Sequence, residues 1–101
     1  MSTLHLANHG GPTHPGLRSC LQYVQSGDVI LLYEDGVYAA VMALWEKLGA
    51  GRELPDIKLY VLDTDVQARG LDDRLHPDAK QIDYAGFVRL TEACQPVVSW
   101  P

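Results

Sequence analysis

The run Val29-Ile30-Leu31-Leu32-Tyr33 constrains the fold more than any other feature of the chain. A strand with one face in water alternates apolar and polar residues. An unbroken apolar run of strand length marks a strand covered on both faces. Turn-forming residues bound it on each side, Ser26-Gly27-Asp28 before and Glu34-Asp35-Gly36 after. Ile57–Leu62 is again rich in apolar residues and reads as a second buried strand. A shorter strand is expected at Thr3–Ala7, where Leu4 and Leu6 occupy alternate positions.

Between these strands the hydrophobic period changes to that of a helix. Pro15 suits a first helical position, with His14 or Thr13 as the cap, and Leu17, Leu21 and Val24 then recur at helical spacing. Val37–Leu48 reads as a strong helix ended by Gly49-Ala50-Gly51. Asp63 or Thr64 can cap a short helix that stops at Gly70. A fourth strand is expected near Lys80–Ile82, a helix capped by Asp83 over Tyr84–Ala93, and a fifth strand at Val97–Trp100. Strands separated by helices imply crossover connections. The expectation is one domain over residues 1–101: a small three-layer α/β/α sandwich of flavodoxin-like type around a mainly parallel five-stranded sheet.

Charge narrows the function. Eight Lys and Arg oppose thirteen Asp and Glu, a net charge of −5, and nucleic acid or an anionic membrane surface would want a basic protein. The longest uncharged apolar stretch, Val37–Trp45, is about half a membrane span. The opening residues lack the basic region and apolar run of a secretory signal, so the chain reads as cytoplasmic with reduced thiols. Direct nucleic-acid binding and membrane association are not expected.

Ligands of open α/β sheets bind beyond the carboxyl ends of the strands. Those ends lead into Asn8–Thr13, Glu34-Asp35-Gly36 and Asp63-Thr64-Asp65. Two of the three are acidic, which disfavours phosphate, and Asn8–Thr13 matches neither the dinucleotide fingerprint nor the P-loop. His5, His9 and His14 lie close in sequence, but no carboxylate or thiol stands at ligand spacing beside them. No cofactor and no metal are expected. Asp72-Asp73 reads as a solvated turn, and no nucleophile elbow surrounds any serine.

Two thiols remain. Cys94 shares a helical stripe with Phe87, Leu90 and Thr91 and should be a buried packing residue. Cys20 lies at the margin of the Leu17–Leu21–Val24 stripe and is expected to be the more accessible. A sulfur-carrying thiol and a packing residue are both open for it, since a reactive thiol needs a depressed pKa and access. The Val37–Leu48 helix carries two apolar faces, one of Val37, Val41, Leu44 and Leu48 and another of Tyr38, Met42 and Trp45. Apolar residues on two sides mark either a wide core-facing surface or a subunit interface; Tyr, Trp and Met favour an interface at Tyr38, Met42 and Trp45.

Several segments resemble the DsrH/TusB family. Leu31-Leu32-Tyr33-Glu34-Asp35-Gly36-Val37-Tyr38-Ala39-Ala40 is similar to its "LLxxDGVYAA" segment, and Asp65-Val66-Gln67-Ala68-Arg69-Gly70-Leu71 to its "DxxARGL" segment. Residues Ile82 to Thr91 resemble "IDYxxFVxLT", Leu4 to Asn8 the "LHTxN" opening, and Ser99-Trp100 the family's final tryptophan. The resemblance implies the DsrE-like form of the α/β fold. It also implies a cytoplasmic heterohexamer with DsrE/TusD-like and DsrF/TusC-like chains that relays sulfur as cysteine persulfide, a sulfurtransferase complex. Sulfur carriers of the TusA and DsrC/TusE type would meet the complex. In one branch the sulfur reaches 2-thiouridine at the tRNA wobble position; in the other the relay serves sulfur oxidation. The main persulfide cysteine belongs to the DsrE/TusD-type partner. Ser19-Cys20-Leu21 resembles the "SCL" setting of DsrH proteins, so the resemblance leans toward sulfur oxidation, with Cys20 as the candidate thiol of this chain.

Overall fold

A computed structural model describes residues 2–11, 14–49 and 56–101. Pro12, Thr13 and the part of the expected Gly49-Ala50-Gly51 stop beyond Gly49 lie outside the described residues. The elements are β1 (Leu4–Ala7), α1 (Pro15–Tyr23), β2 (Val29–Leu32), a 3-10 segment (Glu34–Ala40), α2 (Met42–Gly49), β3 (Lys58–Leu62), α3 (Asp63–Ala68), β4 (Ala79–Ile82), α4 (Tyr84–Ala93) and β5 (Val97–Trp100). All five strands are parallel, in the order β4-β3-β2-β1-β5. Leu4 sits opposite Val29 on one side and Val97 on the other.

This order determines the layers. The first three crossovers each step to the next strand in one direction, whereas β4 to β5 returns across the whole sheet. Right-handed crossovers therefore put α1, the 3-10 segment, α2 and α3 on one face and α4 on the other. The core divides accordingly. Ala7, Ile30, Leu32 and Val61 pack under Leu17, Leu21, Val37 and Val66. Leu4, Val29 and Leu31 pack under Cys94, with Phe87 and Leu90 of α4 beside them. Val29–Leu32 is buried at every position, as an unbroken apolar run in the central strand requires. The chain reverses direction between β1 and β5; in the flavodoxin order it reverses between β1 and β3.

The caps follow the sequence in two places. His14 caps α1, its Nδ1 accepting from the Gly16 N–H at 3.2 Å, and Asp83 caps α4, its Oδ1 accepting from the Gly86 N–H at 2.7 Å. Leu62, not Asp63 or Thr64, stands at the cap of α3 and makes no side-chain cap bond.

The expected single helix over Val37–Leu48 is divided. Ala40 and Met42 give backbone groups to the segment before β4: His76 N–H donates to the Ala40 carbonyl at 2.7 Å and Met42 N–H to the Arg74 carbonyl at 2.9 Å, which sets Val41 opposite Leu75 as an antiparallel bridge. Val41 is extended as a result, and α2 starts afresh with Trp45 N–H on the Val41 carbonyl at 2.8 Å. The break changes the phase of the faces. Trp45 turns into the core and is 8% exposed, while Tyr38 and Met42 remain 43% and 46% exposed. Tyr38, Met42 and Trp45 thus do not form one continuous outer face.

One glycine is demanded by close approach. A Cβ on Gly36 would meet the backbone carbonyl oxygen of Ala7, which strand pairing holds in place. Gly36→Ala should cost about 1–3 kcal/mol, the usual range for forcing an atom into a packed site, measured by urea unfolding of the two proteins side by side.

Candidate functional site

The carboxyl ends of β1, β2 and β3 bring together residues from two separate motifs. Glu34, at the end of β2, adopts the left-handed conformation at φ 48°, a strained position for a side chain with a Cβ. Its N–H is held by Asp65 Oδ2 of α3 at 2.7 Å. Arg69, following α3, donates from Nε and Nη2 to Asp35 Oδ1 at 3.1 and 2.9 Å, and from Nη1 to the Asp65 carbonyl at 3.1 Å. Its guanidinium also lies 5.9 Å from the centre of the Tyr38 ring. The hydrogen bond to Asp35 raises the Arg69 pKa further and keeps its cation fixed. The acidic rim expected from Glu34, Asp35, Asp63 and Asp65 is therefore partly neutralised by Arg69, which sequence reading had not placed there. The spacing of two motifs that must meet across neighbouring strands was the available signal.

Beside this cluster is an open cavity of about 800 Å³, with His9, Gly10, His14, Asp35, Tyr38 and Leu44 among its walls. The His9 and His14 rings stack with centres 4.2 Å apart. Gly10 lets the first loop lie against the 3-10 segment: a Cβ there would stand 2.6 Å from the Asp35 carbonyl oxygen and 2.9 Å from the Ala39 nitrogen. Among the described residues no three His, Cys, Asp or Glu side chains converge as a metal site would require.

Cys20 is elsewhere. It lies five positions past the first residue of α1, roughly 7.5 Å along the helix axis from the rim. Leu17, Cys20, Leu21 and Val24 follow the i, i+3, i+4, i+7 spacing, and all four face the sheet. Cys20 is 0% exposed and Cys94 4%. The expectation that Cys20 would be the accessible thiol is thus corrected: an edge position within a stripe about 100° wide is still covered when the helix packs flat on a sheet. Burial, then the nearby charge of Asp28, pushes the Cys20 thiol up to about 12. A sulfur acceptor needs the opposite, an accessible thiolate. Cys94 is buried against Leu4, Val29 and Leu31, as its stripe predicted.

Below α1, three side chains distant in sequence form a network. Trp100 Nε1 donates to His5 Nδ1 at 3.0 Å, and His5 Nε2 bonds Asp28 Oδ2 at 2.9 Å. Asp28 also accepts from the N–H groups of Thr3 and Gln25 at 3.1 and 3.0 Å. Burial would raise the Asp28 carboxyl, but the His5 bond and the two backbone bonds outweigh it and hold the group below the usual carboxylate value. The network ties β5 to β1 and β1 to the start of β2. The alternation of His5 with Leu4 and Leu6 in β1 puts it on the face opposite theirs, and only the strand order brings Trp100 and Asp28 to it.

A family model described as "DsrH like protein" matches residues 12–97. Proteins named TusB from Escherichia coli O81 (strain ED1a) and Escherichia coli O6:K15:H31 (strain 536 / UPEC) are each 39% identical over 92 residues, covering 91% of this chain and 95% of theirs. A TusB protein of Escherichia coli O139:H28 (strain E24377A / ETEC) is 38% identical over the same length. No helix among the described residues is long and apolar enough to cross a membrane.

Proposed function

This chain belongs to the DsrH-like family, and we propose that it is the TusB-type subunit of a hetero-oligomeric sulfur relay that supplies tRNA wobble-uridine thiolation. The near full-length similarity to proteins named TusB favours this branch over sulfur oxidation. The sequence lean toward sulfur oxidation rested on Cys20 alone, and a buried thiol gives that residue little weight as a branch marker.

The single observation that carries the role within the complex is the state of Cys20. A thiol with no exposure and a pKa raised to about 12 is poorly suited to attack a persulfide. The chain accordingly completes the complex rather than carrying sulfur, and the persulfide cysteine stands on the DsrE/TusD-like partner. The DsrF/TusC-like chain is the other partner, and carriers of the TusA and DsrC/TusE type meet the assembly in the cytoplasm. Tyr38, exposed beside the rim, and Met42, exposed at the start of α2, are the proposed docking residues. Trp45 supports them from the core.

Co-expression with TusC-type and TusD-type chains tests the assembly. Copurification through a tag on the TusD-type chain, with one shared peak in size-exclusion chromatography, is the expected result. Elution of this chain apart from both partners contradicts the proposal.

A further inference from the structure

A second cavity, of about 350 Å³, opens on the same helical face but away from the rim, with His5, Tyr23, Gln25, Asp28, Val98 and Trp100 among its walls. Neither the relay proposal nor the rim motifs account for it. Its base is the buried pair His5 and Asp28, 4% and 8% exposed. Its upper wall is aromatic: the Tyr23 and Trp100 rings lie 5.5 Å apart, and Tyr23 is 69% exposed.

The hydrogen bonds assign the charge of this base. An indole N–H can only donate, so His5 Nδ1 is the acceptor and the ring proton sits on Nε2, which donates to Asp28. The imidazole is neutral in that arrangement. Asp28 therefore retains its full negative charge, surrounded by neutral donors: the Thr3 and Gln25 N–H groups and the His5 ring. Three of the roughly four acceptor positions of a carboxylate are used, and the free one is on Oδ1. Among the described residues no Lys or Arg forms an ion pair with Asp28. A buried anion without a Lys or Arg partner, beside the exposed Tyr23 ring and the half-buried Trp100 ring, has the composition of an organic-cation site. At about 350 Å³ the cavity stands at the small end of ligand pockets and has room for one side-chain head group.

We propose that this cavity receives the guanidinium of an arginine side chain from a partner chain, stacked against Tyr23 and Trp100 and facing Asp28. Arginine is the residue of choice here, since its planar group both stacks on aromatic rings and donates to a carboxylate. The site does not depend on which thiol carries sulfur, so it stands or falls separately from the relay reading.

The test uses the full chain and Nα-acetylarginine amide, with the neutral isostere Nα-acetylcitrulline amide as control. The indole NMR signal of Trp100 is the readout, and that of Trp45, buried in the core, reports the integrity of the fold. The arginine probe should shift the Trp100 signal saturably in the millimolar range, with the citrulline probe about 3- to 30-fold weaker. Tyr23→Ala, at an exposed position, should weaken arginine binding by a similar factor with the Trp45 signal unchanged. Asp28→Asn should do the same where the Trp45 signal shows a native fold. Equal binding of the two probes, no response to the arginine probe, or undiminished binding in Tyr23→Ala would each overturn the assignment.

Discussion

Trp45→Ala should cost the isolated chain about 3–5 kcal/mol, the range for emptying a buried aromatic site. A domain of this size has roughly 5–15 kcal/mol to lose, so the variant should unfold at much lower urea and fall close to the limit of stability. The reason is packing: Trp45 is 8% exposed, in the cluster with Ala40, Leu59 and Val61. Tyr38→Ala and Met42→Ala should leave unfolding within about 0.5 kcal/mol of the parent, as exposed positions do. Their proposed cost appears on binding, about 1–3 kcal/mol each against the assembled partners. Urea unfolding and titration calorimetry separate the two effects. A Trp45→Ala chain as stable as the parent would mean that the indole does not fill the core.

The second large effect concerns thiol chemistry. Raising the Cys20 pKa from the ordinary 9.0 to about 12 lowers its thiolate fraction at pH 8 about a thousandfold. Alkylation by iodoacetamide, followed by peptide mass spectrometry, should leave Cys20 unmodified in the native chain and label it promptly in urea. The same shift makes stability depend on pH. The folded thiol holds its proton above the value at which the unfolded thiol releases it. Its contribution is complete below pH 9 and is lost as pH rises from about 9 toward 12, by at most about 1.4 kcal/mol per pH unit. Cys20→Ala should flatten that part of the stability curve. Rapid native labelling of Cys20 would show that α1 opens readily and would revive it as a sulfur carrier.

Much of the fold was legible because its signals are local. The unbroken apolar run at Val29–Tyr33 required a strand between two layers, and Pro15 and Asp83 marked helix starts that the structure keeps. Three layers were legible from the alternation of strands and helices, whereas which helices share a face follows from the strand order, in which β4 to β5 crosses the whole sheet. The split at Val41 was not legible, because its cause is a pair of backbone hydrogen bonds to Arg74 and His76, over thirty positions downstream. That one break moved Trp45 from an expected outer face to the core. Cys20 illustrates a finer failure. Spacing told which side of α1 it occupies, but not how closely that side lies on β1 and β5. The rim was half legible: the acidic loops were placed correctly, whereas their neutralisation by Arg69 needed the pairing of β2 with β3. The His5–Asp28–Trp100 network spans 95 positions and needs β1 to lie between β2, which brings Asp28, and the returning β5, which brings Trp100.

The central proposal is that this chain completes a sulfur relay without carrying sulfur itself. It is tested most directly by single-turnover persulfide transfer from a TusA-type donor through the assembled complex to a TusE-type acceptor, comparing Cys20→Ala with the parent. Size-exclusion chromatography confirms that both complexes assemble. Transfer within about twofold of the parent is the predicted result, because a thiol this deeply protonated contributes no nucleophile. A loss of tenfold or more in an intact complex would contradict the account and assign a relay step to Cys20.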